Sequence, residues 1–277
     1  MPTVEKGEAN LVNDSLSKID ATYIELRERI LFGELAAGAP MYAEDIMRHT
    51  GVSLSMARQL LLSLGAGGYL KKSGRSYVVS TFTKDQVEEW RLALCAIVEI
   101  GALRLALTGG EKIDEAAAFL DAHVRGVDVR NERFFIGAMA LTTFVLGGPR
   151  STLSQLVEQF IPQAFFRLLW IADSYADRTG FLVEAGDRFL SAARSGDLEG
   201  IRQSVRFFFD GTAPSLYTLI DNMAGGSFPA NEKTDGFQTI ELQISGVPTY
   251  AGSSRSSTPI LRPISDAGKL AFAPESR

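Results

Sequence analysis

Gly51-Val52-Ser53-Leu54-Ser55-Met56-Ala57-Arg58-Gln59-Leu60-Leu61-Leu62-Ser63-Leu64 is a run in which a turn, a cap and an amphipathic helix follow one another without a break. Gly51 tolerates a positive φ and suits a sharp turn after a short helix expected over Ala43 to His49. Ser53 can accept a hydrogen bond from a free N–H of the next turn, so it reads as an N-cap. Ala57, Leu60, Leu61 and Leu64 then fall at i, i+3, i+4 and i+7, which defines one buried face. Ser55, Arg58, Gln59 and Leu62 are left pointing outward, with Leu54 on the flank of the first turn.

Working outward from this helix, Ile19, Tyr23, Leu26 and Ile30 share one stripe and predict a helix within Leu16 to Gly33, with Ser17 and Asp20 at its start. Downstream of Gly67-Gly68, Tyr69 to Lys72, a turn at Ser73-Gly74, and Ser76 to Val79 read as a two-stranded hairpin with a basic tip. Helix, helix, turn, helix, hairpin is the order of a winged helix-turn-helix, assigned to residues 15–80.

Charge is distributed to match. The chain is acidic overall, with Lys+Arg 28 against Asp+Glu 33 and a net charge of −5. Residues 46–84 nevertheless contain no Asp or Glu, while carrying Arg48, Arg58, Lys71, Lys72, Arg75 and Lys84. Duplex DNA repels carboxylates, and each cation that neutralises a phosphate releases condensed counterions, so a window purged of acids is the expected footprint of a duplex-binding surface. A solvated basic face is the plain alternative.

The remainder divides by composition. Residues 1–14 are polar and expected to be loose. Residues 81–85 (TFTKD) form a connector in which Thr83 and Gln86 match a capping box. Residues 86–223 show helical spacing, punctuated at 108–110, 147–149, 177–180 and 195–197, which suggests about six helices. Residues 224–277 are expected to be mostly irregular, with only Phe237 to Ile244 alternating like a strand. A hydrophobic content of 45% supports packed cores. The lone Cys95 cannot form an internal disulfide, and no leader or apolar run of membrane length is expected, so the reading is a cytoplasmic protein. His49 and His123 are the two histidines and lie 74 positions apart, which nearly closes off zinc chemistry needing several imidazoles; neither suggests a triad-like constellation, and no enzyme is expected. Gly147-Gly148-Pro149-Arg150 lacks the spacing of a phosphate-cradling loop.

Leu26 to Leu35 (LRERILFGEL), Ala37-Gly38, Gly51-Val52-Ser53, Arg58 and Gly68-Tyr69-Leu70 together resemble the winged-helix half of the GntR transcription regulators. Val98-Glu99, Leu105-Ala106 and Ala192 to Asp197 (AARSGD) resemble the helical effector domain of the FadR branch. The resemblance implies a homodimer that binds a near-palindromic operator through Arg48, Ser53, Leu54, Ser55, Arg58, Lys71, Lys72 and Arg75, and a bundle that senses a small organic effector. One customary arginine is replaced by Leu54, whereas the second is kept as Arg58.

Many effector domains of that branch hold a divalent metal with one Asp and three His. The corresponding positions here are Asn131, Phe135, Gly186 and Phe208, and the phenyl rings and glycine offer no side-chain lone pair. No metal and no other cofactor is expected. Phe134, Phe135, Phe165, Phe166, Phe207, Phe208 and Phe209 could line an apolar pocket or pack as core, and both readings stand at this stage. Arg91, Arg104, Arg150 and Arg167 are candidates to pair with an effector carboxylate, with Arg91, Asn131, Phe135, Gly186 and Phe208 taken as the effector set. A competing reading is an architectural or protein-interaction module with a filled, ligand-free bundle.

Overall fold

The computed structural model describes residues 18–176 and 178–225. Two parts follow each other along the chain: a winged helix-turn-helix and an all-helical bundle. The first contains α1 (Lys18–Leu31), β1 (Pro40–Met41), α2 (Ala43–Thr50), α3 (Leu54–Ala66), β2 (Leu70–Ser73) and β3 (Ser76–Val79). Helix α3 buries Ala57, Leu60, Leu61 and Leu64, the face set by its spacing, and leaves Leu62 61% exposed. Each leucine buried in this way contributes about 1.5–3 kcal/mol. Ser53 caps α3 by accepting from the Met56 N–H at 3.3 Å, and Gly51 closes α2 at φ 66°, the left-handed conformation for which a glycine is suited.

The wing is a three-stranded antiparallel sheet in the order β1-β3-β2, not a two-stranded hairpin alone. Pro40 pairs with Val78 and Met41 with Tyr77, while Leu70 and Ser73 of β2 face Val79 and Ser76. β1 is two residues long and begins with a proline at a sheet edge, where the missing N–H costs no ladder bond. Two residues carry no periodicity, so this strand has no signature in the sequence.

Thr83 and Gln86 form the expected capping box at the start of α4 (Lys84–Leu107): the Gln86 N–H donates to Thr83 Oγ1 at 3.3 Å, and the Thr83 N–H donates to Gln86 Oε1 at 3.4 Å. There follow α5 (Gly110–His123), α6 (Glu132–Val145), α7 (Thr152–Phe160), α8 (Gln163–Tyr175), α9 (Thr179–Ser195) and α10 (Leu198–Ala224). The bundle thus has seven helices among the described residues, one more than the glycine and proline clusters suggested. The boundaries outside those clusters are residues 124–131, between α5 and α6, and Ile161-Pro162, between α7 and α8. Proline disfavours helical backbone in the residue before it, and Ile161 is extended at φ −108°, ψ 114°. The strand expected over Phe237 to Ile244 lies outside the described residues. No helix among the described residues is long and apolar enough to cross a membrane.

Helix α8 organises the bundle. Every residue from Ala164 to Ser174 is buried, so α8 is enclosed on all sides instead of being amphipathic. Helix α10 packs against α4, α8 and α9. One continuous core runs through both parts, and Phe82 of the connector, Trp90 of α4 and Phe165 of α8 meet edge to face with centroids 6.3 and 5.7 Å apart.

Candidate functional site

Two surfaces carry chemistry. On the winged part, Ser55 and Arg58 project from α3 into solvent, Leu54 is half-buried beside them, and Ser53 Oγ lies 3.0 Å from Ser55 Oγ. Arg58 makes no ion pair among the described residues, so its guanidinium keeps all five donors available for bases or phosphates. Lys71, Lys72 and Arg75 are exposed on β2 and on the turn to β3, with Lys71 Nζ reaching the Thr81 carbonyl only at 3.5 Å. Arg48 is placed differently. It is exposed on α2 but pairs with Asp45, 3.1 Å away and just before the acid-free window. An exposed pair of this kind is weak, so a phosphate can compete for Arg48. His49 hydrogen-bonds the Asp45 carbonyl oxygen through Nδ1 at 2.7 Å, which gives it a local role.

Between helices α4, α5, α6, α8, α9 and α10 lies a partly open cavity of about 220 Å³. Phe134, Phe135, Phe166, Phe208 and Phe209 line it, whereas Phe165 packs against Trp90 and Phe207 packs against Phe181. The candidate phenylalanines therefore divide: five line the space, Phe165 is core, and Phe207 is half-buried against Phe181 with Arg188 stacked on its ring. Gly186 also lines the cavity, and a Cβ there would come within 2.8 Å of Leu120 Cδ2. The structure thus brings Phe135, Gly186 and Phe208 together around one space. Asn131 and Arg91 lie elsewhere. Asn131 caps α6 by accepting from the Arg133 N–H at 2.9 Å. Arg91 is buried between α4 and α10, donating to both Glu88 oxygens at 2.7 and 2.8 Å and to Asp210 at 2.9 Å. Tyr217 Oη donates to the same Glu88 carboxylate.

The residues present do not fit a metal of the kind the resemblance implies. Three of the four positions offer only carbon, the fourth amide is used as a cap, and no group of three His, Cys, Asp or Glu side chains converges among the described residues. Cys95 is buried, and burial pushes its thiol up from the ordinary range.

One lining residue was not anticipated. Asp173 of α8 is 4% exposed and lines this apolar space, and among the described residues its Oδ1 accepts no hydrogen bond. Arg178 Nε is ion-paired with Asp173 Oδ1 at 3.5 Å without forming a hydrogen bond, and its guanidinium is stacked 3.9 Å above the Phe181 ring. Burial pushes the Asp173 carboxyl up to about 7, against the pull of Arg178 and Ser215. The folded chain therefore holds this proton where the unfolded chain, with a carboxyl near 4, has released it. It binds more protons than the unfolded chain between about pH 4 and 7, so stability falls as pH rises through that window, by up to about 1.4 kcal/mol for each pH step of one. Asp173→Asn is expected to flatten this fall. Thermal melting at pH 5 and pH 8 measures it, and an equal slope in the variant would show that another group titrates.

A buried ionic chain links the cavity wall to the winged part. Arg167 of α8 stacks 4.2 Å above Phe135 and pairs with Glu132 at 2.5 Å. Glu132 Oε1 lies 3.9 Å from the Arg27 guanidinium of α1, which is held by Glu28. Nearby, the Ala164 N–H of α8 donates to the Gly67 carbonyl at the end of α3 at 3.0 Å. Gly68 has φ +82°, and a Cβ there would fall 2.7 Å from Pro162. A side chain at this position would therefore force the two parts apart.

No protein-family model matches the sequence, and no curated protein matches it significantly. Solved structures do match. The E. coli protein McbR/YncC is similar over 73% of this chain and 98% of its own, at 17% identity and a TM-score of 0.51. The Listeria monocytogenes protein Lar, which controls expression of the agr system, is similar over 75% of this chain and all of its own, at 16% identity and a TM-score of 0.57. A chain from Rhodococcus sp. RHA1 described as a GntR transcriptional regulator is similar over 73% and 99%, at 16% identity and a TM-score of 0.50. The fold is one found among GntR transcriptional regulators. At these identities the likeness reaches the architecture of a winged helix-turn-helix joined to a helical bundle, and it does not select the FadR branch.

Proposed function

We propose that the chain is a dimeric, sequence-specific DNA-binding regulator of the GntR type, with a FadR-like bundle that senses a small organic effector without a metal. The observation that carries this reading is α3, a capped helix whose buried face is fully packed and whose outer face offers Ser55 and an unpaired Arg58 within an acid-free window. Such a helix fits the major groove with its N-terminal half against base edges, while Lys71, Lys72 and Arg75 meet phosphates.

Dimerisation is supported by α4. Leu92, Ile100 and Leu107 are 53, 55 and 74% exposed, and with Ala96 and Leu103 they follow helical spacing along one face. A continuous exposed apolar stripe of this length suits a second copy of the same chain. Two copies place two α3 helices on half-sites about 34–36 Å apart.

The cavity supports effector sensing, and α8 supplies the connection. Its middle lines the cavity through Phe166, Trp170 and Asp173, and its first turn is hydrogen-bonded to the end of α3. A ligand that shifts α8 changes the seat of α3 and thereby the separation of the two half-site readers, by as much as its affinities for the two arrangements differ. A filled, ligand-free bundle is less well supported, because the phenylalanines leave open space between them. The proposal is tested by selecting duplexes from a random pool: enrichment of two-fold related half-sites supports it, and no enrichment removes it.

A further inference from the structure

The cavity wall contains one acidic group and no Lys, Arg or His. Its other polar side chains are already committed. Thr142 Oγ1 donates to the Ala138 carbonyl at 2.9 Å, Ser204 Oγ to the Ile201 carbonyl at 2.7 Å, and Trp170 Nε1 to the Val129 carbonyl at 2.6 Å. Among the described residues, Asp173 Oδ1 is the buried acceptor of this wall that receives no hydrogen bond, its ion-pair partner Arg178 Nε standing 3.5 Å away. Leaving such an atom without a hydrogen bond is costly, and a ligand that supplies the donor recovers that cost. The two neighbouring cations do not fill this role. Arg178 is stacked on Phe181 and ion-paired with Asp173 at 3.5 Å without a hydrogen bond, and Arg167, the cation on α8, is paired with Glu132.

We infer that the cavity takes an apolar molecule ending in a protonated amine, with the ammonium group donating to Asp173 Oδ1 and the hydrocarbon part lying among Phe134, Phe135 and Phe208. This rests on the effector-sensing reading above and specifies its ligand. A carboxylate ligand is disfavoured once Asp173 is ionised, since the lining then presents it with a carboxylate and no Lys, Arg or His. Size fits an arylalkylamine: an apolar cavity of about 150 Å³ accepts benzene, and the space here is about 220 Å³.

The test is calorimetric titration of the full chain at pH 7 with three probes of one shape: 2-phenylethylamine, ethylbenzene and 3-phenylpropionate. Tightest binding by the amine, about 10-fold or more over the other two, is expected. In Asp173→Asn the amine should lose that preference while ethylbenzene binds as before. Equal binding of all three, or tighter binding of the carboxylate, overturns the Asp173 assignment and leaves the cavity as a ligand site. Binding of none of the three overturns the effector-sensing reading as well. The comparison among probes on the unaltered chain decides the matter even if Asp173→Asn does not fold.

Discussion

Ile100→Glu is expected to convert a dimer into a monomer and to weaken operator binding by about 10²- to 10⁴-fold. A monomer gains only one half-site, and the second contact loses the effective concentration that linkage to the first supplies. Ile100 lies mid-way along the exposed stripe of α4, between Leu92 and Leu107, so a carboxylate there sits at the centre of an apolar contact and must be desolvated without a partner. In the isolated chain the same side chain is 55% exposed, and folding should be unaffected. Sedimentation equilibrium reads the mass, anisotropy of a labelled operator reads the affinity, and circular dichroism reads the retained helix content. A variant that remains dimeric would place the interface on another face of the bundle.

Arg58→Ala is expected to cost about 1–3 kcal/mol in operator binding, roughly 5- to 150-fold in affinity, because the loss of one base-edge or phosphate contact is of this size. The side chain is exposed and unpaired, so melting temperature should stay close to that of the unaltered chain. Affinities for the selected duplex and for a scrambled one distinguish the two possible roles. A larger loss on the selected duplex identifies a base contact, and an equal loss on both identifies a phosphate contact. No change on either would mean that the outer face of α3 does not dock.

Helix α3 was legible because its pattern is local: Ala57, Leu60, Leu61 and Leu64 give the face, Ser53 the cap, and Gly51 the turn, all within four turns of chain. The Thr83–Gln86 capping box was legible for the same reason. Strand β1 was not, since its pairing with β3 spans almost forty residues and its own two residues have no pattern. Nor was Asp173. A single carboxylate in Leu168 to Tyr175 reads as the polar side of an amphipathic helix, but α8 is buried on every side, and burial by neighbours leaves no periodicity to detect. The Arg27, Glu132 and Arg167 chain joins residues from α1, α6 and α8, far apart in sequence, so only the packed structure brings it together. Phe135, Gly186 and Phe208 were found through the resemblance, which also supplied Asn131, whereas Arg91 was chosen as an arginine able to meet an effector carboxylate; the Asn131 and Arg91 side chains are committed to a helix cap and to the α4–α10 ion pairs.

The central claim, that paired α3 helices read duplex DNA, is tested most directly by exposing the purified chain to a random duplex library at low salt and sequencing what it retains. Retained sequences should share one short motif repeated in inverted orientation, with centres about one helical turn or a multiple of it apart. A retained pool indistinguishable from the input library would contradict the claim.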